Sequence, residues 1–129
     1  MSEPAGRWCA VRQATRELRA AFPELEHAEI WISPGWFGLL KRLVNEVHAI
    51  APASSGFRWT AIRSKYASLR ADFEWPAATA AEVKRIEAIT ARYEGESERT
   101  CERCGEPGHE RDDDGWIEIL CDVHAGRAR

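Results

Sequence analysis

The chain has 129 residues, 44% of them hydrophobic, and a formal net charge of −3, enough to bury one modest core with a small appendage. No apolar stretch approaches the ~20 residues that a membrane-crossing helix needs, and no export pattern opens the chain. The expectation is a soluble, cytoplasmic protein with no membrane partner.

Taken in order, Val11, Ala14, Leu18, Ala21 and Phe22 recur at helical spacing and Pro23 stops the run, which predicts a first amphipathic helix. Ser33 as N-cap and Pro34 at the first helical position open a second helix, whose stripe of Trp36, Leu40, Leu43, Val44, Val47 and Ile50 ends at Pro52. Residues 52–56 are a loop by composition, and residues 57–66 are ambiguous. Leu69, Ala71, Phe73 and Trp75 then alternate with Arg70, Asp72 and Glu74 as a half-buried strand would, and Pro76 closes it. Thr79-Ala80-Ala81-Glu82 has the form of a capping box, followed by Val83, Ile86, Ile89, Thr90 and Tyr93 on one side of a helix over 79–94. Trp116 to Leu120 reads as a short strand, and Ala125-Gly126 keep any helix around His124 brief.

The most informative feature is Cys101-x2-Cys104 followed, after sixteen intervening residues, by Cys121-x2-His124. Two ligands separated by two residues turn back on one ion when the peptide between them folds into a tight knuckle, and four such ligands complete a tetrahedron. Gly105 supplies the positive φ that such a knuckle uses. The expectation is structural Zn2+ on Cys101, Cys104, Cys121 and His124. His109 is the rival fourth ligand, and disulfides are the alternative without metal. Cys9 reads as a small apolar residue. His27-Ala28-Glu29 ahead of Cys101-x2-Cys104 imitates a zinc-deaminase signature, but Thr100 stands where that signature has proline. No catalytic residue is assigned, so the expectation is not an enzyme.

Charge is unevenly placed: residues 95–129 carry five basic and ten acidic side chains. Three thiolates on a dication would add one more negative charge, the wrong sign for a module built to sit on phosphates. Asp112-Asp113-Asp114, with Glu106 and Glu110, reads as an acidic loop, either solvated or facing a basic partner. Arg58, Arg63, Lys65 and Arg70 interleave with Phe57, Trp59 and Tyr66, the pattern of a groove for single-stranded nucleic acid. The plainer reading pairs these cations with the acidic metal segment. Six tryptophans are a heavy load for a small core. Trp31 and Trp36 are therefore expected as partner-binding rings, with core packing as the ordinary alternative.

The order of an early Trp-Phe helix, Ile62-Arg63-x-Lys65-Tyr66-x-x-Leu69-Arg70, a helix, Cys101-Glu102-x-Cys104-Gly105-x-Pro107-Gly108, Gly115-Trp116 and Leu120-Cys121-x-x-His124-Ala125 resembles a family of small, largely uncharacterised proteins of phages, prophages and bacteria. They share a Lys-x-x-x-Leu-Arg segment and a C-terminal zinc motif. The match spans roughly residues 30–126. The family pattern has glycine before the Leu-Arg step where this chain has Ala67-Ser68, which counts against a tight turn there. The resemblance implies zinc and a phage-linked origin, with inhibition of a host system as a role.

These readings combine into an α+β fold, helices on a small antiparallel sheet, with an N-terminal domain over 1–95 and a zinc module of ribbon or treble-clef type over 96–129. The expected function is non-enzymatic recognition of a protein partner, with nucleic-acid binding through Arg58 to Arg70 as the alternative.

Overall fold

In the computed structural model, which describes residues 3–127, three helices form where apolar residues recur at helical spacing: α1 (Glu3–Ala21), α2 (Phe37–Ile50) and α3 (Ala80–Ser97). The side chain of Cys9, expected to be a small apolar residue, lies outside the described residues. The capping box at α3 is complete, since Thr79 Oγ1 accepts from Glu82 N and Glu82 Oε1 accepts from Thr79 N. The start of α2 departs from expectation: Pro34–Trp36 forms a 3-10 turn first, and the Ser33 hydroxyl caps nothing. It donates instead to Glu102 Oε1 at 3.2 Å.

Strands β1 (Glu29–Trp31), β2 (Arg58–Lys65) and β3 (Ser68–Glu74) make one sheet in the order β1-β2-β3. The β2–β3 pair is antiparallel as expected, and β1 adds a parallel edge that periodicity does not announce. An extra residue at Thr60 shifts the β2–β3 register, so that Trp59 and Ile62, three apart, both reach the core. Residues 57–66 look ambiguous in sequence for that reason. The hairpin closes through Tyr66 and Ala67, both left-handed at φ 52° and 60°, in a tight two-residue turn despite the missing glycine.

The core is built from the inner face of this sheet, the stripe of α2 (Leu39, Leu40, Leu43, Val44, Val47) and Ile86, Ile89 and Tyr93 of α3. Half-buried carboxylates clip α2 to α3: Arg42 holds Glu96 at 2.9 Å, and Glu46 takes both Arg92 and the Tyr93 hydroxyl. Beyond α3, β4 (His109–Asp113) and β5 (Trp116–Leu120) form a second hairpin, and α4 (Asp122–Arg127) follows it. Asp112 and Asp113 thus lie in a strand, and only Asp114-Gly115 turn, at φ 59° and 86°. No helix among the described residues is long and apolar enough to cross a membrane.

Trp36, expected beside Trp31 as a partner-facing ring, is 0% exposed. Its position where the 3-10 turn enters α2 points the ring into the core, and its indole N–H donates to Thr100 O at 2.8 Å. Trp31 is 69% exposed.

Two substitutions test these assignments by urea unfolding. Ala67→Gly removes a left-handed alanine and is expected to stabilise by about 1 kcal/mol. Thr79→Ala breaks the capping box and is expected to cost about 1 kcal/mol.

Candidate metal centre

The donors come from two knuckles. In the first, Gly105 at φ 84° donates its amide to Cys101 O at 2.9 Å, closing the turn that carries Cys101 and Cys104. In the second, the chain leaves β5 at Leu120 and enters α4, which lets Cys121 and His124 face the same point; His124 N lies 3.5 Å from Cys121 Sγ.

The donor atoms of Cys101, Cys104, Cys121 and His124 all lie within 4.8 Å of one another. Cys104 Sγ is 3.7 Å from Cys121 Sγ, and His124 Nδ1 is 3.6 Å from Cys101 Sγ and 3.2 Å from Cys121 Sγ. An ion bound at about 2.3 Å by sulfur and about 2.0–2.1 Å by nitrogen in a tetrahedron needs donor separations of about 3.5–3.8 Å. The cluster fits such an ion, and its three cysteines are free thiols. His109 begins β4 opposite Leu120 and is not in the cluster, and neither is His27.

The thiols differ in acidity. Burial raises Cys101, but the backbone amides of Cys121, Arg103 and Cys104 more than reverse this and hold it below the usual thiol value. Burial pushes Cys104 up to about 11, against the Glu106 amide and with the neighbouring Cys101 and Cys121 sulfurs adding to the rise. Three sulfurs this close repel as thiolates. A cation at their centre removes that repulsion and deprotonates the ligands.

Behind the ligands sits Glu102, which the spacing argument overlooks. Its amide donates to Ile119 O at 2.8 Å and its carbonyl accepts from Gly35 N at 2.7 Å. Its carboxylate accepts from Ile119 N at 2.7 Å and Ser33 Oγ at 3.2 Å. Burial raises the Glu102 carboxyl above its ordinary value, although the Ile119 amide and the Ser33 hydroxyl oppose the rise. One residue of the first knuckle therefore ties the metal segment to β5 and to the turn before α2. The available signal is an acidic residue placed inside the knuckle beside a ligand. Trp36 adds its bond to Thr100, and Ile119 joins the main core.

The predicted nucleic-acid residues are together on the β2–β3 hairpin but mostly engaged. Arg58 meets Glu74 at 2.5 Å, Arg63 meets Glu29 at 3.7 Å and Arg70 meets Glu94 at 3.2 Å. Lys65 lies 5.7 Å from the centre of the Tyr66 ring. Their acidic partners belong to β3, β1 and α3, not to the metal segment. Register explains the choice: Arg63 stands directly opposite Arg70, a like-charge pair that each resolves with a nearby carboxylate.

Comparison with known protein families, with curated proteins and with solved structures finds no match.

A Cβ at Gly35 would fall 2.2 Å from Cys101 O, whereas one at Gly38 would meet nothing within 4 Å. Gly35→Ala is expected to destabilise by about 3 kcal/mol and to loosen metal retention with all four donors intact. Gly38→Ala, the control, is expected to stabilise by about 1 kcal/mol. Denaturant titration together with metal release to a chromogenic chelator checks both.

Proposed function

We propose that this chain is a non-enzymatic recognition protein, stapled by zinc, whose ligand is another protein. The carrying observation is the closed donor set. Three thiols and an imidazole within 4.8 Å fill every position of a tetrahedral ion, so the ion has no vacancy for water or substrate and serves to hold shape. Thiolates with one imidazole at tetrahedral spacing are the ligand set that zinc prefers.

Large apolar side chains are exposed both on the metal segment, Trp116 at 70% with Ile117 and Val123, and on β1, Trp31 at 69%. Exposed tryptophan is enriched where proteins bind one another. The resemblance to phage and prophage proteins supports a host protein as the partner and inhibition of a host system as the role. The pairing of Arg58, Arg63 and Arg70 with carboxylates favours this reading over binding to a phosphate backbone.

Elemental analysis of protein prepared without added metal is expected to return one zinc per chain. Chelation should lower stability by about 4 kcal/mol where zinc had been a thousandfold above its dissociation constant, and zinc should restore it. Cys121→Ser should behave like the chelated protein. At moderate salt the zinc-loaded protein is expected to retain a host protein and to leave labelled single-stranded DNA and RNA unbound. Nucleic-acid binding that Lys65→Ala or Arg63→Ala abolishes would overturn the reading.

A further inference from the structure

Strand β1 is paired on one side only. The sheet order places it at the edge, and among the described residues no backbone hydrogen bond outside the sheet involves Glu29, Ile30 or Trp31. A groove of about 590 Å³, within the size range of ligand sites, lies between β1 and α1. Ile30, Trp31 and Ile32 all line that groove. Successive residues of an extended chain point to opposite faces, so a groove touching three in a row runs along the strand's edge, where the main chain is accessible.

The facing wall is α1, which contributes Arg12, Arg16 and Arg19. These residues are spaced four and three apart and so share one helical face. Among the described residues, no acidic side chain lines the groove. Among the described residues, Arg19 donates to Leu25 O at 2.6 Å and Arg16 to Gln13 Oε1 at 3.2 Å on its own helix, and Arg12 too has an interaction of its own. The site therefore offers a peptide main chain its hydrogen bonds, side chains a half-apolar floor with Trp31 as anchor, and carboxylates a row of guanidinium groups.

We propose that this groove takes an acidic, extended segment of a partner protein, which adds beside β1 as a fourth strand of the sheet. Strand addition draws affinity from main-chain bonds and specificity from alternate side chains. An arginine row on the far wall selects segments whose outward residues are aspartate or glutamate, since guanidinium pairs with carboxylate in a two-pronged geometry. The occupant is thereby distinguished from a helix, which has no free main-chain groups to give, and from a basic peptide, which the row repels. This inference rests on the protein-recognition reading and names the partner's chemistry.

The test uses the zinc-loaded full chain and a short synthetic peptide alternating glutamate with valine. Amide chemical shifts are expected to move along β1 and the facing side of α1, with binding that weakens as salt rises. Trp31→Ala and Arg16→Glu, both exposed positions that leave the melting temperature unchanged, should each weaken binding about tenfold or more. The lysine-for-glutamate peptide should not bind, nor should one with proline at alternate positions, which cannot complete the ladder. Equal binding of either control peptide overturns the proposal, as do shifts mapping elsewhere, no binding at all, or self-association through β1. If a host protein is still captured but Trp31→Ala and Arg16→Glu do not release it, the groove is wrong while protein recognition stands. Failure to capture any protein removes the reading beneath it.

Discussion

The Gly35 amide and the Glu102 carbonyl meet at 2.7 Å, main chain against main chain, and the metal segment takes its position from that contact. A side chain at residue 35 would occupy the space of Cys101 O. With glycine there, the first knuckle settles onto the turn before α2, Cys101 is buried, and the next residue, Trp36, reaches Thr100. Glu102 then spends all four of its hydrogen-bonding groups on Gly35, Ser33 and Ile119. Each neutral bond adds about 1 kcal/mol, and those to a carboxylate add more. Their larger effect is geometric, because groups behind a ligand fix its orientation before any ion arrives.

The metal segment is consequently no loose appendage of the helical body. Ile119 of β5 belongs to the same hydrophobic cluster as Leu43 and Ile86, and α3 runs to Ser97, four residues short of the first ligand. Ser97 is itself buried, with its hydroxyl accepting from Leu69 N at 2.9 Å, so the end of α3 is fastened to the β2–β3 hairpin just before the chain turns into the knuckle. Hairpin, helix end and metal centre form one continuous path of packed and hydrogen-bonded groups.

Charge is organised by strand register more than by segment. Ten acidic against five basic side chains over residues 95–129 suggest electrostatic closure onto the basic hairpin. The basic residues instead find carboxylates one strand or one helix away, while Arg103 and Arg111 take Glu118 and Asp122 within the metal segment. Proximity set by pairing outweighs net charge, because exposed charges separated by more than about 10 Å are screened by salt.

Elements whose evidence is local were legible in the sequence: the stripe of α2, the Thr79 to Glu82 box, the alternation of β3 and the two ligand pairs. What escaped depends on distant partners or broken periods. β1 is three residues long and exists only through β2. β4 is His-Glu-Arg-Asp-Asp with neither face buried, so no apolar alternation marks it, although Asp114-Gly115 is a strong hairpin signal. Composition shows that tryptophan is abundant, but which rings are covered is decided by contacts such as Trp36 to Thr100, 64 residues apart in sequence.

That separation orders events during synthesis. Every group on the body's side of the junction, Ser33, Gly35 and Trp36 included, leaves the ribosome well before Cys101, and the second ligand pair emerges later still. The residues of the cradle are thus available before the knuckle that docks on them, and the donor set is complete only when the last pair has joined it.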